Sequence, residues 1–369
     1  MANDQLIRTA SPKASKKAIQ AAFRSQRPVF MWGPPGIGKS DIVHQLGAGM
    51  NSPVIDVRLS LWEPTDIKGI PFFNSVTHTM QWAPPQELPS NEWAAQFPNV
   101  ILFLDEMNSA APAVQAAAYQ LILNRRVGAY ELPDNVLIVA AGNREADKGV
   151  TYRMPSPLAN RFTHIEMEVD FDDWMEWAIE HRIHKHVIAY LNFAKKDLYD
   201  FDPKSSSRAF ATPRSWKFVS DFLYDESIDE HTMSDLISGT IGDGLQVKFK
   251  QFIKMAGKLP QPADILSGKV TDLKFDNSEI SGLYALAVGL VYELHDARSK
   301  DEYGVWCGKV DNYFQFLISE AFGVPELSIL SVRLAVRDYA LNITPQDVPS
   351  WNAFMKWAGP WISRTAHIK

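Results

Sequence analysis

The stretch Gly33-Pro34-Pro35-Gly36-Ile37-Gly38-Lys39-Ser40 limits what this chain can fold into more than any other, because its G-x-x-x-x-G-K-S spacing suits very few local structures. An apolar run, Pro28-Val29-Phe30-Met31-Trp32, precedes it, and a helix-compatible stretch from Asp41 to Leu46 follows. Strand, loop and helix in that order form the setting in which such a loop wraps a phosphate. Glycines let the backbone turn tightly enough for its N–H groups to point inward at an anion. Lys39 has the reach for β- and γ-phosphates, and the Ser40 hydroxyl is suited to ligate Mg²⁺. The expected phosphate-contacting set is Gly33, Pro34, Pro35, Gly36, Ile37, Gly38, Lys39, Ser40 and Asp41.

Two further apolar runs end in polar chemistry. Val100-Ile101-Leu102-Phe103-Leu104 leads into Asp105-Glu106, which reads as a buried parallel strand with its carboxylates at the C-terminal end. Ligands of open α/β sheets bind at that end. Asp105 is suited to hold Mg²⁺, directly or through water, and Glu106 to orient and deprotonate an attacking water. Val136-Leu137-Ile138-Val139-Ala140-Ala141-Gly142 is a second buried strand, and Asn143 after it can hydrogen-bond both the water and a γ-phosphate. Loop, acid strand and polar strand follow one another in the order an ATP-hydrolysing enzyme needs. ATP and Mg²⁺ are the expected cofactors.

The order and spacing resemble AAA+ ATPases over about residues 10–255, and the details resemble the MoxR branch of that superfamily. Arg58-Leu59-Ser60 with Glu63-Pro64-Thr65-Asp66-Ile67-Lys68-Gly69 is similar to the branch's block after its second strand. Asp105-Glu106-Met107-Asn108-Ser109-Ala110 is similar to its acidic block, and Thr212-Pro213-Arg214 to its second sensor. The resemblance implies Lys39 and Ser40 as the Walker A pair, Asp105 and Glu106 as the Walker B pair, and Asn143 as sensor 1. It implies Arg214 as sensor 2, reaching the nucleotide from a lid in the same subunit, and Arg161 as an arginine finger projecting into the neighbouring subunit. Arg153, Arg125 and Arg126 are further candidates for that finger. The resemblance also implies a homo-oligomer, a hexameric ring, and chaperone-like action on a protein client. A partner with a von Willebrand factor A domain often accompanies this branch.

The expected fold class is an α/β P-loop core with a parallel five-stranded sheet between helices, then an all-α lid and a helical C-terminal extension. The strands are placed at Val29–Trp32, Val54–Leu59, Val100–Leu104, Val136–Ala140 and Thr163–Val169. Residues 1–17 read as a flexible lead to a helix at Ala18–Arg24, residues 18–169 as the nucleotide-binding domain, 170–257 as the lid and 258–369 as the extension. Hairpins are expected near 70–89 and 127–135, the second turning near Leu132-Pro133-Asp134-Asn135. In the lid, a helix starting at Asp172-Asp173 should run to about Lys196. His181, His184 and His186 fall within it, and no transition metal is expected there, because the sequence names no further ligand. The extension should hold helices over Ser281–Asp296, Tyr313–Phe322 and Leu327–Leu341, with Trp351, Trp357 and Trp361 in an aromatic tail.

Composition narrows the function classes. A formal net charge of −6 lacks the basic excess that phosphate-backbone binding needs, so a nucleic-acid motor or loader is the secondary reading. An ATP-gated scaffold without turnover is a third, opposed by the intact set Asp105, Glu106, Asn143, Arg161 and Arg214. The single cysteine, Cys307, excludes an intrachain disulfide and suits a reducing compartment. With no apolar stretch near the roughly 18 residues of a membrane span and no signal sequence, a cytoplasmic location is expected.

Overall fold

The computed structural model describes residues 8–147, 151–271, 280–319, 322 and 324–365. The described chain divides into two units, one of residues 1–173 with 202–205 and the other of 174–201 with 206–369.

In the first unit the strands are β1 (Thr9–Ala10), β2 (Val29–Trp32), β3 (Val54–Arg58), β4 (Ile70–Asn74), β5 (Thr79–Ala83), β6 (Val100–Asp105), β7 (Arg126–Val127), β8 (Tyr130–Glu131), β9 (Val136–Gly142) and β10 (Thr163–Met167). Its helices are α1 (Pro12–Phe23), α2 (Lys39–Gly49), α3 (Pro64–Lys68), α4 (Asn91–Ala94), α5 (Pro112–Asn124) and α6 (Ser156–Ala159). The main sheet is parallel throughout, in the order β1-β10-β2-β9-β6-β3. From β2 the chain crosses to β3 at one edge, and later returns past β2 to β10 on the other side. That reversal opens a crevice at the C-terminal end of β2, which is where the Gly-rich loop begins.

Every residue of β6 and β9 is buried, as continuous apolar runs in a sheet covered on both faces should be. Leu102, Leu104, Ile138 and Ala140 share one core with Phe30, Leu121 and Phe162. Each large apolar side chain withdrawn from water there contributes about 1.5–3 kcal/mol.

The sheet has a sixth strand beyond the five expected, and it replaces the flexible lead over its described part. Thr9 and Ala10 pair with Glu166 and Met167, and α1 starts at Pro12, well before Ala18. Ser11 caps the helix by accepting from the Ala14 N–H, and Pro12 occupies the first turn. Ser15, Ile19 and Phe23, one turn apart, form its buried stripe, while Lys13 and Lys17 are exposed. Residues 1–7 of the expected lead lie outside the described residues.

The second small hairpin turns earlier than expected. Val127 and Tyr130 pair directly across Gly128-Ala129. Leu132–Asn135 closes a separate turn, in which the Val136 N–H donates to the Pro133 carbonyl at 3.0 Å.

The second unit is helical: α7 (Phe171–Glu180, entered from the first unit), α8 (Lys185–Phe193), α9 (Pro213–Leu223), α10 (Glu230–Ile241), α11 (Asp243–Ala256), α12 (Pro262–Leu266), α13 (Ile280–Lys300), α14 (Tyr303–Leu317), α15 (Pro325–Arg333) and α16 (Ser350–Thr365). The single helix expected from Asp172 to about Lys196 is two helices, α7 and α8. Arg182 adopts a left-handed conformation, φ 53°, and His184 caps α8 by accepting from the His186 N–H. The expected helix at Tyr313–Phe322 starts earlier, at Tyr303, and ends at Leu317. The one expected over Leu327–Leu341 stops at Arg333 and passes into a wider turn, Leu334–Asp338. Segments separated at 257/258 in the sequence reading share this unit, with α8 and α11 lying against α13. Trp351, Trp357 and Trp361 are half-buried, and the buried stripe of α16 is Phe354 and Ala358.

Candidate active site

The Gly-rich loop leaves β2 at Trp32 and enters α2 at Lys39. Gly38 at the helix N-cap has φ 87°, a left-handed conformation that side-chain-bearing residues adopt only with strain. Asp41 sits in the first turn of α2, where a negative charge complements the helix dipole. The Lys39 ammonium donates to the carbonyls of Gly33 at 2.7 Å and Pro34 at 2.9 Å, and to Asn143 Oδ1 at 3.0 Å. The loop and the end of β9 are thus joined through the cation that the phosphate chemistry needs. On the next strand, the Ser40 hydroxyl donates to Asp105 Oδ2 at 3.0 Å, and Asp105 is only 8% exposed.

Glu106 follows Asp105 in a left-handed conformation, φ 53°, which turns its carboxylate away from the strand axis. Its N–H donates to Asp105 Oδ1 at 2.9 Å. The Ser60 hydroxyl donates to Glu106 Oε2, and Arg58 Nε lies 3.9 Å from Oε1. Asp105, Glu106, Lys39, Ser40 and Asn143 therefore meet at the C-terminal edge of three neighbouring strands.

Several residues that support this cluster carried no site assignment from sequence. Asn108 is 2% exposed, and its amide donates to the Asn143 carbonyl at 2.7 Å. Its buried Oδ1 has no hydrogen-bond partner among the described residues. Arg144 makes a two-point contact with Asp147, Nε–Oδ2 and Nη2–Oδ1 both at 3.2 Å, and reaches Glu166 Oε1 at 3.3 Å. Burial raises the Glu166 carboxyl above its ordinary range, and Arg144 opposes that rise. The signals were present: a polar residue inside an apolar block for Asn108, and a cation adjacent to Asn143 for Arg144. Neither says which partner the folded sheet supplies.

The arginine candidates separate clearly. Arg161 is exposed, its backbone N–H donates to the Leu158 carbonyl at 3.0 Å, and its side chain makes no hydrogen bond among the described residues. Arg125 instead donates to the Pro133 carbonyl at 2.6 Å and the Val136 carbonyl at 2.9 Å. Burial lowers its guanidinium from the ordinary value, against the pull of Asp134 and Tyr130. Arg125 closes the loop between α5 and β9, which removes it as a finger candidate. Arg126 and Arg153 are exposed. Arg214 belongs to the second unit, where it is the exposed second residue of α9, behind the Thr212–Ser215 capping box.

Of the three histidines expected in one helix, His181 and His184 make local bonds. A ring nitrogen of His181 is 2.9 Å from the Trp177 carbonyl, and His184 Nδ1 accepts from the His186 N–H at 3.2 Å. Burial is the main cause that pushes the imidazole of His184 down to about 3 and that of His186 down to about 4, so both rings are neutral at ordinary pH.

Residues 29–169 match the model of the ATPase family associated with various cellular activities, AAA. This segment is an AAA ATPase domain. It takes in the Gly-rich loop, the acid strand, Asn143 and Arg161, and it makes the chain an ATPase with a nucleotide-binding core. Midasin of Giardia intestinalis is 24% identical over 205 residues, a match that takes in 52% of this chain and 4% of midasin's length. The RuvB Holliday junction branch migration motor of Thermotoga maritima is 17% identical, with a TM-score of 0.35 over 69% of this chain and 74% of RuvB. NtrX from Brucella abortus in complex with ATP is 16% identical, with a TM-score of 0.38 over 89% of this chain and 69% of that one. Among the described residues, no helix is long and apolar enough to cross a membrane.

Proposed function

We propose that this chain is a ring-forming AAA remodeller of the MoxR type that hydrolyses ATP to act on a protein client in the cytoplasm. The observation that carries the hydrolytic part is the convergence of Lys39 Nζ on Asn143 Oδ1 at 3.0 Å beside Ser40 Oγ on Asp105 Oδ2, also 3.0 Å. Ser40 and Asp105 offer hard oxygen donors suited to Mg²⁺, and a magnesium ion bound there would neutralise charge on the β- and γ-phosphates.

This chain's own groups then divide the work. The loop N–H groups and Lys39 hold the phosphates, and Asn143 orients the attacking water. Glu106 takes the proton from that water as its oxygen bonds the γ-phosphorus and the bond to the ADP oxygen breaks. Ser60 donates to Oε2 of Glu106 and Arg58 Nε lies 3.9 Å from Oε1, contacts that orient the carboxylate. Arg161, exposed and without a side-chain hydrogen bond among the described residues, would serve a neighbouring copy. A finger supplied in trans is worth roughly 10³–10⁵ in rate. Arg214 would act from the lid of the same subunit as a second sensor. On this reading a hexameric ring is the active species.

The client side rests on the first hairpin, β4 and β5. Phe73 pairs with Met80 and Pro71 with Trp82, so all four share one face by strand alternation. All are exposed, Phe73 to 60% and Met80 to 62%, and residues 70–83 contain no Asp, Glu, Lys or Arg. An uncharged apolar ribbon suits a protein surface, such as a von Willebrand factor A-domain partner, and not a phosphate backbone.

The test is a pull-down from native lysate with Glu106→Gln loaded with ATP, nuclease-treated and untreated. The reading expects one protein, absent with Lys39→Ala and absent when Phe73→Ser and Met80→Ser are added. Recovery of nuclease-sensitive nucleic acid in its place overturns the client assignment in favour of a nucleic-acid motor.

A further inference from the structure

His164, on β10, bridges two segments that the proposed reaction uses and that lie far apart in sequence. Its Nδ1 is 2.9 Å from the Trp32 indole nitrogen, and its Nε2 is 2.8 Å from the Ala159 carbonyl oxygen. An indole N–H can only donate and a carbonyl can only accept. Nδ1 must therefore carry the lone pair and Nε2 the proton, so the contacts select one neutral tautomer.

Both partners are strategic. Trp32 is the last residue before the Gly-rich loop, flanked in the sheet by Gly142 and Glu166. Ala159 closes α6, just ahead of Asn160 and Arg161. The Trp32 and His164 rings lie nearly coplanar across that bond, their centroids 6.1 Å apart at an interplanar angle of 24°, and buried Phe162 meets Phe30 edge-on at 5.3 Å, beside them. Arg161 thus sits between an anchor bonded to His164 and an anchor packed into the same aromatic cluster.

We propose that His164 is a positioning residue that ties the segment presenting Arg161 to the strand feeding the chain's own phosphate loop. Each subunit then aims its finger at its neighbour with reference to its own nucleotide loop. The inference rests on Arg161 acting in trans, and the experiment separates the two claims.

Lys39→Ala subunits lack a working site but keep Arg161, and Arg161→Ala subunits keep the site but lack the finger. Mixing them should restore ATP turnover. Adding His164→Phe to the Lys39→Ala donor keeps a ring but deletes both hydrogen bonds, and should cut the restored rate about 10²-fold, the scale of a misplaced reacting group. Adding His164→Gln, whose amide can accept from Trp32 and donate to Ala159, should restore most of it. The His164→Phe single variant should bind a fluorescent ATP analogue within about threefold of wild type, a change of under about 1 kcal/mol.

Equal restoration by the His164→Phe and unmodified donors overturns the proposal alone. So does equal failure of the Phe and Gln donors, which assigns the loss to the imidazole ring itself. A Phe donor that no longer co-elutes with Arg161→Ala subunits also counts against it, because the residue would then serve assembly. If Lys39→Ala alone restores nothing, the trans reading of Arg161 falls and this proposal falls with it.

Discussion

Gly142→Ala is the substitution whose cost can be worked out most fully, because the added methyl has nowhere to go. A Cβ at Gly142 would lie 2.2 Å from Asn108 Oδ1, 2.8 Å from Asn108 Cγ and 2.9 Å from Phe30 Cζ. Phe30 is fully buried and Asn108 nearly so, so neither can swing into solvent. Overpacking of this kind costs about 1–3 kcal/mol. If Asn108 yields, the Asn143 carbonyl loses its donor at 2.7 Å, which costs up to about 1–3 kcal/mol more for this half-buried acceptor. Alanine's smaller unfolded-state entropy offsets about 0.4–1 kcal/mol. The net expectation is about 2–4 kcal/mol, or a drop of roughly 5–15 °C in the Tm of the unit that holds the sheet. Turnover should fall at least about tenfold even below that Tm, because Asn143 moves with its carbonyl. Thermal denaturation followed by circular dichroism, beside a phosphate-release assay, reads both effects. Gly49→Ala is the control, since nothing lies within 4 Å of a Cβ there. A loss below about 1 kcal/mol with unchanged turnover would refute the claim that Asn108 and Gly142 together hold Asn143 in place.

Other outcomes follow from the same structure. Arg125→Ala should lower stability by about 2–3 kcal/mol, since charged donors to two carbonyls are lost, while turnover per folded molecule is unchanged; thermal denaturation and an ATPase assay check the pair. The second unit should weaken in mild acid. The folded-state values of His184 and His186, about 3 and about 4, lie below the unfolded value near 6.5, so the unfolded chain binds more protons in between. Their contribution is complete above about pH 6.5 and is lost as pH falls toward 4, roughly 2 kcal/mol for each imidazole by pH 5. Denaturant titrations at several pH values should show that slope, and His184→Gln with His186→Gln should flatten it.

What the sequence made legible was whatever is written in consecutive residues. The Gly-rich loop and the runs at Val29, Val100 and Val136 each carry their signal within a few positions, and their strands begin where expected. Thr9 and Ala10 form a strand only because β10 offers an edge, so no local pattern marks them. The start of α1 was legible in Ser11-Pro12, but the surrounding lysines read as a solvated lead. The break at Arg182 hides inside an amphipathic pattern that continues on both sides of it. Asn108, Arg144 and His164 act through contacts set by strand register, which a linear reading does not supply. Lys39, Ser40, Asp105 and Asn143 could be named in advance because the order of loop and strands determines their neighbourhood.

The central claim is that Glu106 is the base for ATP hydrolysis at the site Lys39, Ser40 and Asp105 build. Phosphate release from Mg·ATP by wild type and by Glu106→Gln, with nucleotide binding measured on the same samples, tests it most directly. The account predicts a turnover loss of about 10²–10⁴-fold in Glu106→Gln with ATP binding retained. Turnover equal to wild type, or loss of ATP binding together with turnover, would contradict it.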